Sequence, residues 1–312
     1  MEKAHLLLFF LLLGSSLHFC SGSSSRKLFS LVKEAPLVLS YHNGPLLTGN
    51  LSLSILWYGR FSPAQKSILL DFLTSLNTKT PPKPSVSSWW KTLDSYHSSI
   101  HPKTPHIYNS ALHLHIHNQA LDPTYSLGKS LTRAQITKLA ETGLAPSGSA
   151  VSVVLTSDDV AVEGFCIGGC ARHGSVGPDG VSIWVGNPAS QCPGECAWPF
   201  HQPVYGPQAP PLVAPNGDVG ADGMVIGLAS ALAAAVTNPF RTGFFQGPAS
   251  APLEAASACT GAYGSGAYPG YAGELLVDPT TGGSYNAHGV NGRKYLLPAV
   301  WDPLTSKCST LV

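Results

Sequence analysis

The sequence predicts an α/β (α+β) fold: a single secreted domain with a mixed sheet and a loop-rich, disulfide-bonded C-terminal half. Three observations predict it. In the first half, runs of alternating or β-branched residues (Leu51 to Tyr58, Ala150 to Leu155, Val181 to Val185) are interleaved with helical segments, the order that builds a sheet with helices packed on it. In the second half, a stretch of Ala, Leu, Val and Ile from Met224 to Val236 contains no ionisable group. A helix made of it is apolar on every side and belongs in a core. Around that helix the chain is rich in Gly, Pro and Cys. No repeat of roughly 20–50 residues and no clean linker appears, so one domain is expected.

The first 22 residues read as a secretory signal, with Lys3 as the basic start, Leu6 to Leu13 as the apolar run and Cys20-Ser21-Gly22 as the small-residue cleavage site. The apolar run is too short for a membrane anchor, which needs about 20 residues, so no stable membrane insertion is expected. Residues 23–36, rich in Ser and Lys, read as a flexible leader, and the domain is assigned to 37–312. Leu51 to Tyr58 begins with strict alternation and ends in β-branched and aromatic residues, a strand. Asn50-Leu51-Ser52 at its start is the one usable glycosylation sequon. Ser62 caps a helix with Pro63 in its first turn and a stripe of Ile68, Leu69, Phe72, Leu73 and Leu76. Three prolines between Thr78 and Pro84 break it, and Ser88 to Tyr96 gives a shorter helix carrying Trp89, Trp90, Leu93 and Tyr96. Thr132 and Gln135 form a capping box, Leu131 staples onto Ile136, and Gly143 ends that helix.

Composition narrows the function classes. The chain has 312 residues, 11% charged, with a net charge of +1 and no basic run, which excludes nucleic acid as a partner. A hydrophobic content of 44% is too high for disorder, while 32 Gly and 26 Pro suit a loop-rich extracellular protein. Of seven cysteines, Cys20 falls in the signal. The remaining six read as three disulfides in an oxidising compartment, with the spacing suggesting Cys166–Cys170, Cys192–Cys196 and Cys259–Cys308. A four-thiolate zinc site from the two Cys-x-x-x-Cys pairs is the alternative.

Several motifs carry a family likeness. Tyr41-His42-Asn43-Gly44-Pro45-Leu46-Leu47, Ile55-Leu56-Trp57-Tyr58-Gly59, Phe61-Ser62-Pro63-Ala64-Gln65-Lys66 and Tyr125 to Thr132 are followed by Gln191 to Pro203 and Ser284-Tyr285-Asn286-Ala287-His288-Gly289. With these motifs in this order over about residues 37 to 312, the chain resembles the plant EXORDIUM and phosphate-induced-protein family. The resemblance implies a secreted apoplastic protein linked to brassinosteroid-responsive growth and cell expansion. It implies no established biochemical activity.

The apolar helix also resembles a degenerate zinc-metalloprotease helix. Aligned on Thr237-Asn238-Pro239, the ligand His falls at Ser230, the general-base Glu at Ala231 and the next inward position at Ala234. Alanine and serine supply neither an imidazole or carboxylate ligand nor a base to activate water. A structural core helix and a non-enzyme are therefore expected. His113, His115 and His117 alternate with Leu114 and Ile116, so a strand would set all three on one face. That is a weak metal candidate beside the simpler reading of a polar, half-exposed strand. His173, His201 and His288 are assigned to loops, and Asp218 and Asp222 to the turn before the helix. Each alone reads as a hydrogen-bonded loop residue, and together they could build a site that no motif reveals. Gly128-Lys129-Ser130 is not a nucleotide loop, because Pro123 stands where that pattern needs Gly, and no Gly-x-Ser-x-Gly elbow exists. The run Gly261 to Gly273 offers either tyrosine faces for a sugar polymer or a loop fixed by tyrosine packing. The expected function is binding of a wall glycan or extracellular protein, without a cofactor. A secreted zinc hydrolase with ligands outside the core helix is the alternative, and a hormone carrier with an apolar pocket is a third reading.

Overall fold

The structure, a computed structural model, describes residues 36–100, 111–142, 150–177 and 179–312. The expected signal, the leader other than Pro36, and Gly143 lie outside the described residues. Leu37–Val312 form one compact unit.

Its centre is a five-stranded sheet. The strands are β1 (Asn50–Tyr58), β2 (His113–Asp122), β3 (Ala150–Thr156), β4 (Ala171–Val176) and β5 (Gly180–Gly186), in the order β2-β1-β3-β5-β4. All neighbours are parallel except β4, which returns antiparallel along β5 and forms one edge. The sheet is mixed for that reason. Alternation along the central strands separates two layers. Leu53, Val151 and Val181 stand in one row, Ile55, Val153 and Ile183 in the next, and Trp57, Leu155 and Val185 in a third, all facing one core. Tyr58, Val154 and Trp184 face the opposite core. Both faces are covered, so the inner strands lack a solvent side and read as near-continuous apolar runs.

The first core is closed by α1 (Pro63–Ser75) and α5 (Val219–Thr237). The second is closed by α4 (Arg133–Thr142), whose Ala140 carbonyl accepts from Ser152 Oγ at 2.7 Å. Ser62 and Gln65 make the reciprocal capping box that starts α1. The helix expected over Ser88–Tyr96 is two helices, α2 (Val86–Lys91) and α3 (Asp94–Ile100). Ser85 and Ser88 cap the first, and the tight bonds Thr92 N to Trp89 O and Leu93 N to Trp90 O end it after one and a half turns. Both helices are tied down by aromatic donors. Trp89 Nε1 reaches the Pro298 carbonyl at 2.7 Å, Trp90 Nε1 the Leu112 carbonyl at 3.0 Å and Tyr96 OH the Trp301 carbonyl at 2.6 Å.

Every residue of α5 is buried except Val219, Ile226 and Ser230. The helix is long and apolar enough to cross a membrane by length and composition, yet most of it is buried inside the protein. Its glycines let it lie close. A Cβ at Gly227 would sit 3.3 Å from both Ala171 Cβ and Val185 Cγ1, and one at Gly223 would sit 2.9 Å from Ala197 Cβ and from the Cys196 carbonyl.

Around α5 the C-terminal half is loops and ladders of two or three residues, pinned by side chains and three disulfides. Asn286, fully buried, donates to the carbonyls of Tyr263 (2.8 Å) and Leu297 (2.7 Å) and accepts from Leu297 N (2.8 Å). The disulfides are Cys166–Cys192, Cys170–Cys196 and Cys259–Cys308. The first two correct the local pairs Cys166–Cys170 and Cys192–Cys196. Cys192 and Cys196 flank one helical turn, with Cys196 N bonded to the Cys192 carbonyl. Residues four apart on a turn project side by side, so both thiols meet the 166–170 segment instead of each other. This double clasp also uses up the sulfurs of the four-thiolate alternative.

Two outcomes follow. After non-reducing cleavage both at Arg172 and beside Glu195, the peptide carrying Cys166 and Cys170 stays attached to both the Cys192 and the Cys196 fragments, whereas its release with an internal bridge would contradict the clasp. Asn286→Ala leaves three buried backbone groups without their partner and lowers the unfolding free energy by about 3 kcal/mol in a denaturant titration of the purified protein.

Candidate functional site

A groove of about 1490 Å³ runs along edge strand β4 and over α5. Its floor is the one face of α5 left partly open, where Ile226 and Ser230, four residues apart, stand beside Gly227, Ala231 and Ala234. The Ser230 hydroxyl is turned back to the Ile226 carbonyl at 2.9 Å. Ser230, Ala231 and Ala234 therefore line the groove with two methyls and a hydroxyl spent on its own helix, and the metalloprotease likeness expected of α5 is not shown by the structure.

One wall is the free edge of β4. The Gly186 N to Cys170 O bond fixes the phase of the antiparallel pair, so Ala171, His173 and Ser175 turn their backbone N–H and C=O outward into the groove. His173 is on this strand and not in a loop, which corrects the sequence expectation: Ala171 to Val176 has too little alternation to be seen as a strand, and pairing with β5 makes it one. Its Nε2–H donates to Glu254 Oε1 at 2.8 Å, and the same oxygen accepts from Asn238 Nδ2 at 2.6 Å, while Asn238 Oδ1 accepts from Gly243 N at 2.8 Å. Glu254 thus joins the edge strand to the end of α5. His173 Nδ1 is buried and has no hydrogen-bond partner among the described residues. Glu254 carries no sequence signal of its role, and the Asn238 link follows from the Asn-Pro that stops α5.

Three arginines meet the same groove: Arg133 from α4, Arg172 from β4 and Arg241 from the turn after α5. A Cβ on Gly164 would lie 2.6 Å from a terminal nitrogen of Arg133 and 3.5 Å from one of Arg172, so two guanidinium groups crowd one point. Arg133 Nε is 4.0 Å from Glu163 Oε1, and neither Arg172 nor Arg241 has an ion pair among the described residues. Burial, followed by the charges of Arg133 and Arg241, lowers the proton affinity of Arg172, with Glu163 opposing. Its guanidinium sits 5.9 Å from the centre of the Trp184 ring. At the rim, two loops touch where Pro207 packs on Gly270. Exposed Tyr205 lines the groove there with Pro269 and Gly270, and the Tyr268 and Tyr271 rings, on the segment that carries Gly270, have centroids 5.1 Å apart. Tyr263, by contrast, is buried with its hydroxyl on the Trp198 carbonyl at 3.3 Å, so the Gly/Tyr run divides between packing and display.

The remaining sequence candidates stand apart. His113 and His115 are exposed on β2, with His115 Nε2 3.2 Å from Ser52 Oγ. A bulge between Leu53 and Ser54 makes His117 the unpaired extra residue, so the three do not form the regular row that alternation suggests. Asn50 is exposed at the start of β1. His201 is exposed with Nδ1 2.9 Å from the Gln202 carbonyl, and His288 is in a ladder beside Lys294, where burial and that lysine lower its proton affinity. Among the described residues, no three His, Cys, Asp or Glu side chains are grouped to hold a metal. The residues present do not fit a zinc centre. Lys129 is paired with Asp159 at 2.6 Å.

A second, polar cavity of about 630 Å³ is built on Asn216. Asp218 caps α5 by accepting from Ala221 N at 2.9 Å, and it accepts from Gln65 Nε2 at 3.1 Å. Asp222, one turn in, accepts from Asn216 N at 2.9 Å and from Asn216 Nδ2 at 2.6 Å, while Arg293 reaches Asn216 Oδ1 at 3.3 Å and pairs with Asp71 at 2.9 Å. Burial outweighs these hydrogen bonds and pushes the Asp222 carboxyl up to about 7.

Fold and groove define a disulfide-clasped α/β protein with a long, open, arginine-lined groove and a floor of small inert side chains. Residues 39–311 match the family model for the phosphate-induced protein 1 conserved region. The chain is 54% identical to Protein PHOSPHATE-INDUCED 1 of Nicotiana tabacum over all of both chains. It is 55% identical to Protein EXORDIUM of Arabidopsis thaliana, over 93% of this chain and 94% of that one. With Protein EXORDIUM-like 1 of Arabidopsis thaliana the identity is 56% over 87% and 89%. The chain belongs to the phosphate-induced protein 1 (EXORDIUM) family. No solved structure matches it.

The Asp222 carboxyl binds its proton more tightly folded than unfolded, so its contribution to stability is full below about pH 4 and is lost as pH rises through about 7. A shift from 3.8 to about 7 bounds that loss at about 4 kcal/mol. Urea titrations from pH 4 to pH 8 are expected to show the decline in the native protein and a flatter profile in Asp222→Asn.

Proposed function

We propose that this chain is a secreted, non-catalytic apoplastic protein that acts in growth and cell expansion, including the brassinosteroid-responsive kind, by holding an extended extracellular polymer in the groove. One observation carries the reading. The floor, at Ser230, Ala231 and Ala234, holds no base or metal ligand and its one hydroxyl is spent on the Ile226 carbonyl, yet the groove above it is open and, at about 1490 Å³, larger than the usual small-molecule site. Family membership supports the growth setting, and three disulfides support export to an oxidising compartment through the N-terminal signal. Exposed Asn50 at the start of β1 suits an N-glycan. The zinc-hydrolase reading has no ligand set to support it.

The test is complementation of growth in plants lacking the endogenous protein, with Ser230→Trp filling the groove floor. Loss of rescue with normal secretion and an unchanged unfolding midpoint is expected. Full rescue by this variant would sink the groove reading, and about one zinc per chain surviving dialysis, read by elemental mass spectrometry, would overturn the non-catalytic one.

A further inference from the structure

We infer that the groove selects an acidic, uronic-acid-bearing polysaccharide, whose carboxylates meet Arg172, Arg133 and Arg241 and whose sugar rings lie against the tyrosine rim. This deepens the reading above and rests on it. The charge pattern leads. The chain is nearly neutral and only 11% charged, yet three of its arginines converge on one groove, and two of them have no carboxylate partner among the described residues. Holding Arg133 and Arg172 against the same point beside Gly164 costs Coulomb energy that an arriving carboxylate relieves. A guanidinium fork binds a carboxylate through two parallel hydrogen bonds, and Arg172 is already held in place by Trp184.

The rim argues for sugar. Tyr205 is 87% exposed and Tyr268 64% exposed, on two loops braced at Pro207 and Gly270. Water-facing rings suit the C–H faces of pyranose rings, which gain dispersion contact while their hydroxyls stay wet. The outward backbone groups of Ala171, His173 and Ser175 add donors and acceptors for those hydroxyls along the wall. The groove is open and elongated along a strand, so it accepts the middle of a polymer. An acidic peptide could pair with the same edge, but it would not use the tyrosine rim.

Affinity electrophoresis and calorimetry of the intact secreted protein with polygalacturonate provide the test, with fully methyl-esterified polygalacturonate, neutral xylan and polyglutamate alongside. Binding to polygalacturonate alone is expected, weakening steeply with added salt. It should fall at least tenfold in Arg172→Gln and in Arg241→Gln and several-fold in Tyr205→Ala, with Arg172→Lys partly restored. Arg241 and Tyr205 are exposed, so their variants test the site even if Arg172→Gln fails to fold. Equal binding to the esterified polymer or to xylan overturns the acidic class while leaving a glycan groove. Equal binding to polyglutamate overturns the sugar assignment. No binding to any polymer, with growth rescue still lost in Ser230→Trp, overturns this inference alone, whereas rescue retained in Ser230→Trp removes the groove reading beneath it.

Discussion

A nineteen-residue helix with no polar side has to be covered on all sides, and that requirement organises the rest of the structure. The sheet covers one side of α5, tightly enough at Gly227 to leave little space, α1 covers another, and the disulfide-clasped 188–197 segment a third, so close that Gly223 has no room for a side chain. Beyond Val219 in the first turn, cover fails at Ile226 and Ser230, and the groove lies there. The groove is therefore the gap left by the packing of one helix, and its floor inherits the small side chains that let the helix be buried in the first place.

The groove is held open by ties that bridge distant parts of the chain. Glu254 fastens edge strand β4 to the end of α5 through His173 and Asn238, and the double clasp fixes Cys170 and Cys196 at its border. Arg172, half-buried, lowered in proton affinity and without a carboxylate partner among the described residues, is the costly element in this arrangement. A half-buried cation that lines a cavity and has no ion pair among the described residues is more economically understood as a binding group than as a stabilising one.

At the opposite end of α5 the balance differs. Asp222 has two hydrogen bonds from Asn216 and a place in the first helical turn, both of which favour the ionised form. Burial still prevails, because no cation touches the carboxylate directly. Arg293 is engaged by Asp71 and meets Asp222 only through Asn216.

Local sequence determined the central strands, the α1 stripe, the capped start of α4 and the burial of α5, since each is encoded in residues close along the chain. The family was likewise legible, because its motifs are long and ordered along the chain. Contacts between distant segments were not. Cys166 and Cys192 are 26 residues apart and their pairing depends on which way a helical turn points its thiols. His173 became a strand residue only through β5, and His117 fell out of its row only through a bulge against β1. Arg133, Arg172 and Arg241 share a groove although none is near another in the sequence. Local patterns record which side of an element must be buried, but the choice of what buries it is made by tertiary packing, and so the groove and everything that lines it were decided by the folded structure.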